Sequence, residues 1–311
     1  MDHARTIRAP EERAVFGLLA TIGLIAALAG AWWLWNQSSG RAVVRDASPN
    51  WLPNGELVFA SEERGQADLF ITDQNGGQRR MVTTTTADEG GAAVSPDGDF
   101  VAFQSNRDGN VEIYVARING DGTRRLTDDP AVDQAPAWSP DGTHIVFMSN
   151  RANKGFDLFR MNADGTNVEA LTSGGRNGYP QYSPDGAQLA FQMDRDVYIM
   201  TLATHAVRRV TREPADGLHP TWSPDGQHIA FVSWRNGRGE IFKSRVDGGD
   251  PELVVSMPTG DALDPRWSPD GRHIAFVHVP AGGVSRAEDA TGVRVVHIVD
   301  VVTGRLTRIS R

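Results

Sequence analysis

A five-residue turn motif returns six times along the chain and sets the architecture that every other segment must satisfy. Its copies are Trp51-Leu52-Pro53-Asn54-Gly55, Val94 to Gly98, Trp138 to Gly142, Tyr182 to Gly186, Trp222 to Gly226 and Trp267 to Gly271, and five of them contain S-P-D-G. The prolines fall at 53, 96, 140, 184, 224 and 269, so successive copies stand 43, 44, 44, 40 and 45 residues apart. A period of roughly 40 to 45 residues belongs to the blades of a propeller. Proline pre-sets φ at the first central turn position, aspartate suits the second, and glycine takes the left-handed conformation ahead of the next strand. The motif is a hairpin tip.

After each tip runs a second strand rich in β-branched and aromatic residues, such as Leu57-Val58-Phe59, Ile145-Val146-Phe147 or Ile274-Ala275-Phe276. A polar turn then leads to a third strand: Asp68-Leu69-Phe70, Glu112-Ile113-Tyr114, Asp157-Leu158-Phe159, Asp196-Val197-Tyr198 or Glu240-Ile241-Phe242. A fourth strand closes on Val82-Thr83, Leu126-Thr127, Leu171-Thr172, Val210-Thr211 or Leu306-Thr307. Each unit thus predicts a four-stranded antiparallel meander. Such a sheet cannot bury both faces alone, so the units stack radially. The expected fold is an all-β, six-bladed β-propeller over residues 48–311, with blade one at Ser48 to Thr83 and blade six at Pro265 to Ile309. Ring closure rests on packing of blade six against blade one, and Ala42-Val43-Val44 is a candidate extra strand at that seam. In the hairpins, Arg107 with Glu112 and Arg151 with Asp157 are expected to pair locally across the turn.

The W-S-P-D-G copies and the I-Y-V-x-x-x-D-G-x-x-x-x-L-T pattern resemble the TolB-like propeller repeat over essentially all of residues 48–310. The resemblance implies the fold. It leaves function open, because adaptor proteins, propeller domains of prolyl peptidases and some lyases share the repeat. TolB itself carries an α/β domain before its propeller, whereas here about a dozen residues, Asn36 to Ala47, connect the N-terminal apolar run to the first blade. Blade six departs from the pattern: Pro280 to Gly292 replaces a short turn with a polar insertion, a secondary candidate contact surface, and Arg294 stands where the other blades have Asp or Glu.

Ala14 to Trp35 contains no charged residue, and roughly 20 apolar residues cross the hydrocarbon core of a bilayer. Arg5, Arg8 and Arg13 precede this run, while Trp32, Trp33 and Trp35 close it. That asymmetry suits a cytoplasmic N-terminus and an aromatic belt at the outer interface. The expected organisation is a cytoplasmic tail (1–13), a single-pass transmembrane helix or uncleaved signal (14–35), a linker (36–47) and the propeller in the periplasm or on the extracellular side. The alternative is a signal peptide cleaved after the A-x-A pattern of Ala29 and Ala31.

Charge and composition remove several function classes. The net charge of -8 argues against a phosphate backbone as partner, so no nucleic acid is expected. Without cysteine there are no disulfides and no thiolate metal sites. His144, His228 and His273 occupy one repeat slot, which is a structural pattern, and His205, His219, His278 and His297 form no H-x-H or H-E-x-x-H spacing. No G-x-S-x-G elbow, Walker loop or dinucleotide fingerprint occurs. No cofactor, no metal and no catalytic residue is expected.

The residues just ahead of each turn motif remain as candidates. Asp46, Asp88, Glu89, Asp133, Asn177, Tyr179, Asp216, His219, Asp261 and Asp264 stand where the innermost strand of each blade begins, at one mouth of the channel. Radial repetition would gather them into a polar, largely acidic ring able to accept a cation or a basic peptide segment; otherwise they form a solvated rim of short loops. The expected function is a non-catalytic binding or scaffold protein engaging an envelope protein, peptide or glycan. The alternative is a propeller lyase or hydrolase that acts on a polysaccharide with His219 and nearby carboxylates.

Overall fold

Near-continuous apolar runs after each turn tip produce strands buried on both faces. The second strand of blade one, Leu57–Glu62, and the third, Ala67–Thr72, are almost entirely buried. In the computed structural model, which describes residues 46–62, 65–152, 155–211, 217–280 and 293–310, the chain forms six four-stranded antiparallel sheets. Each sheet is made from strands consecutive in sequence. The expected anchor, the linker through Ala42-Val43-Val44, Asp216 and the insertion at 281–292 lie outside the described residues. Among the described residues no helix is long and apolar enough to cross a membrane.

The first strands of the six blades are Asp46–Trp51, Glu89–Val94, Asp133–Trp138, Asn177–Tyr182, Leu218–Trp222 and Asp261–Trp267. Each lies beside the first strands of both neighbouring blades, with blade one beside blade six. The ring is therefore closed and these strands are innermost. Blades one and six begin slightly earlier than the turn spacing alone suggests. The core sits between blades. One such cluster joins Trp51, Leu57, Phe59 and Phe70 of blade one to Ala275, Val296 and Ile298 of blade six, which closes the seam by packing.

The S-P-D-G tip is self-satisfied. In blade three Ser139 Oγ donates to Asp141 Oδ1 at 2.6 Å, and that oxygen also accepts the Thr143 amide at 3.0 Å. The backbone amides of His144, His228 and His273 donate to the motif serine, each at 2.9 Å.

Two register assignments made from spacing are corrected by the pairing. Val295, not Arg294, lies opposite His278, as Asp68 lies opposite Ser61. Likewise Ile309-Ser310, not Leu306-Thr307, is the counterpart of Val82-Thr83: the Val296 amide donates to Ser310 Oγ as the Leu69 amide does to Thr83 Oγ1, both at 2.8 Å. The apolar V-V-H-I run reads in either register from sequence alone. The hairpin arginines also pair differently from expectation. Arg107 reaches Glu89, and Arg151 reaches Asp133 at 2.6 Å, both in the first strand of the same blade. Glu112 is taken instead by Arg125, at 2.8 Å, and Asp157 by Asn177 and the Gly175 amide.

Candidate functional site at the channel

Every first strand slips register once. The irregularity falls between Ala47 and Asn50, Gly90 and Ala93, Gln134 and Ala137, Gly178 and Gln181, Leu218 and Thr221, and Leu263 and Arg266. One residue inside each slip takes positive φ: Ser48 (50°), Gly91 (59°), Ala135 (52°), Tyr179 (52°), His219 (53°) and Asp264 (51°). A bulge re-aims the side chain it carries, and it does so here six times around the axis. Blades one to three place serine, glycine and alanine in this slot. Blades four to six place tyrosine, histidine and aspartate.

Those three polar side chains meet. The Tyr179 and His219 rings stand 4.0 Å apart between centroids, and His219 Nδ1 contacts Asp264 Oδ1. The His219 and Asp264 side chains are only 13% and 22% exposed. Arg266, two residues beyond Asp264, donates through Nη1 to the Pro265 carbonyl at 2.8 Å, while its Nε is buried without a hydrogen-bond partner among the described residues. Burial opposes ionisation of Asp264, but His219, Arg266 and Arg294 outweigh it and hold the carboxyl at about 2. Burial, with Asp264 adding to it, pushes the Tyr179 phenol far up, so it stays a neutral donor. The six bulge positions are thus unequal: blades one to three carry small side chains there, and blades four to six carry a phenol, an imidazole and a carboxylate, with the Arg266 and Arg294 guanidinium groups within electrostatic reach.

The remaining candidates are placed elsewhere. Glu89 is fully buried, bound by Arg107 and by Thr85 Oγ1 at 2.8 Å. Asp133 is fully buried against Arg151, and Asn177 donates to Asp157 at 2.8 Å. Asp88 and Asp261 tie neighbouring blades together by accepting the amides of Ala67, at 3.1 Å, and Gly239, at 2.7 Å. Asp46 opens the first strand of blade one opposite Ser61. The structure brings together Tyr179, His219 and Asp264, adds Arg266, and draws Glu89, Asp133, Asp88 and Asp261 into links within and between blades. A sequence signal for the bulge existed: Ser48, Ala135, Tyr179, His219 and Asp264 each immediately precede a proline.

The TolB beta propeller domain family matches residues 39–192 and 173–299. This chain belongs to that family. Among TolB relatives, the Tol-Pal system protein TolB of Bordetella pertussis is 30% identical over 30% of this chain and 33% of its own length. The chain thus spans about a third of that relative. The crystal structure of TolB from Acinetobacter baumannii superposes with a TM-score of 0.65 at 25% identity, covering 72% of this chain and 57% of that one. An oligogalacturonate lyase from Vibrio parahaemolyticus shares the fold at 15% identity, with a TM-score of 0.58 over 86% of this chain and 79% of its own.

Proposed function

We propose that the chain is a membrane-anchored, non-catalytic binding protein whose propeller stands in the periplasm and engages an envelope protein or peptide at the channel. Residues 14–35 serve as the anchor, with residues 1–13 inside and residues 36–47 as linker. The kinship with Tol-Pal system proteins supports an envelope setting. The observation that carries the reading is the convergence of Tyr179, His219 and Asp264 from three consecutive blades, on backbone held in a conformation that costs roughly 1 to 3 kcal/mol per residue. Binding residues concentrate where a rigid scaffold presents them.

The test is affinity capture from an envelope extract with the detergent-solubilised full-length protein, its anchor-deleted form, and the variant carrying His219→Ala and Asp264→Asn. The partner should be retained by the first and lost by the double variant. An identical partner profile for all three would remove the channel and the anchor from the function.

One observation favours a second reading. A histidine held by a carboxylate beside a buried phenol is an acid–base constellation, and a structural neighbour is an oligogalacturonate lyase. Formation of unsaturated uronate from oligogalacturonate, abolished by His219→Ala, would establish the enzyme.

A further inference from the structure

The residue just ahead of each turn motif has a structural task that its backbone performs. The carbonyls of Arg266, Ala93 and Gln181 accept the indole Nε1 of Trp51, Trp138 and Trp222 from the following blade, at 2.9, 3.1 and 3.2 Å. The side chain is left free to vary: the slot holds Asn50, Ala93, Ala137, Gln181, Thr221 and Arg266, and blade six alone places a charge there. That charge has no direct counterion among the described residues. Asp264, two residues earlier, gives Oδ1 to His219, and no described carboxylate lies within 4.0 Å of the Arg266 guanidinium. Among the described residues its one hydrogen bond runs from Nη1 to the carbonyl of its own neighbour Pro265, at 2.8 Å. A guanidinium carries five N–H donors, and a charge drawn out of water is costly unless an opposite charge meets it. Arg266 also faces the channel. Tyr179 and Arg266 stand on blades four and six, with blade five between them around the ring, yet each lies within electrostatic reach of the other, so they approach across the channel. Tyr179, Asp264 and Arg266 are half-buried, and the cluster keeps surface open to solvent.

Resting on the reading that the partner is an envelope protein or peptide, we infer that its contacting segment is acidic and that one of its carboxylates enters the channel to pair with Arg266. The planar guanidinium fork matches a carboxylate, and the neutral Tyr179 phenol supplies a further donor. A basic segment is disfavoured in the same place. Its ammonium group would meet the field of Arg266 and Arg294, and the one carboxylate of the cluster, Asp264, is already taken by His219. A phosphate monoester brings roughly 1.5 to 2 negative charges up to Asp264, more than one unpaired guanidinium balances. A single carboxylate matches the single free cation. The pairing is local: the chain as a whole carries a net charge of -8, so bulk attraction favours a basic probe, and a preference for an acidic one reports the site itself.

The test titrates the detergent-solubilised full-length protein with fluorescent glycine-serine peptides, otherwise blocked at both ends, that carry a glutamate, a free C-terminal carboxylate, a glutamine, a lysine or a phosphoserine; galacturonate is the sugar-acid control. At least one of the two carboxylate peptides should bind saturably and about tenfold more tightly than the glutamine peptide. Which of the two does so separates a side chain from a chain terminus as the source. Arg266→Gln should erase the preference while the urea midpoint stays at or above wild type, because no native ion pair is lost. Arg266→Lys, which keeps the charge without the fork, should retain part of it. Equal binding of the carboxylate and glutamine peptides, preference for lysine or phosphoserine, binding of galacturonate alone, or an unchanged preference in Arg266→Gln would overturn the inference. The proposed function fails separately: a partner captured through His219 and Asp264 while the peptides bind indifferently sinks this inference alone, and an acidic preference without any captured partner sinks the envelope reading alone.

Discussion

The indole Nε1 of Trp51 donates to the backbone carbonyl of Arg266 at 2.9 Å, across 215 residues of sequence and across the seam where the ring closes. Each described sheet is complete within its own repeat, so no strand exchange is seen to hold this joint; side-chain packing and this bond do. Trp51→Phe keeps much of the packing and leaves the Arg266 carbonyl unpaired. We expect a loss of about 1 to 2 kcal/mol in urea unfolding. Trp222→Phe, which removes the same bond between blades five and four, should cost a similar amount.

Gly76 gives a sharper probe of the seam. It has φ of +76°, and a Cβ placed there would meet the Ile309 carbonyl oxygen at 2.1 Å. Gly120 meets the Val82 carbonyl in the same way at the next interface, at 2.3 Å. Gly109 also has positive φ, but nothing lies within 4 Å of its virtual Cβ. Gly109→Ala should therefore cost only backbone strain, about 1 to 2 kcal/mol. Gly76→Ala should cost clearly more, because blade one must move away from blade six. Equal midpoints for the two variants in denaturant titration would show that the seam yields freely.

Most of the fold could be read from residue order because turn chemistry is local: a proline, an aspartate and a glycine at fixed offsets determine a hairpin wherever they stand. Blade six was misread by one residue in its third strand and by three in its fourth, since Val295-Val296 offers two equivalent apolar registers and no acidic residue marks the start. In blades two to five that mark is a working group, because Glu112, Asp157, Asp196 and Glu240 accept the hydroxyls of Thr127, Thr172, Thr211 and Ser256. The candidate site was only half legible. Spacing singles out Tyr179, His219 and Asp264 along with Glu89 and Asp133; the proline after each of the first three marks the bulge in sequence, while the engagement of Glu89 and Asp133 by Arg107 and Arg151 shows only in three dimensions.

Asp133 makes stability depend on pH in an unusual direction. Burial raises its carboxyl to about 6, a shift that Arg151 and the neighbouring hydroxyls reduce without cancelling. The native state therefore binds a proton that the unfolded chain has already released, and stability from this group is full below about pH 4 and lost as pH rises through 6. The loss should be on the order of 3 kcal/mol. Asp133→Asn should flatten the denaturation midpoint between pH 4 and 6.5. A wild-type midpoint that rises over this interval, with no change in the variant, would contradict the assignment.

Asp264 works with the opposite sign. Its carboxyl is held at about 2 against the pull of burial, by His219 first and then by Arg266 and Arg294. The ionised form is favoured by folding, so its contribution is present above the ordinary aspartate value near 4 and disappears as pH falls toward 2. Asp264→Asn removes the charge that faces His219 and leaves Arg266 and Arg294 unbalanced beside it. Its midpoint should lie below wild type at pH 6, and the gap should narrow steadily on acidification. A gap that stays constant from pH 6 to pH 3 would mean that the His219–Asp264 contact is packing without charge, and the channel cluster would lose its electrostatic basis.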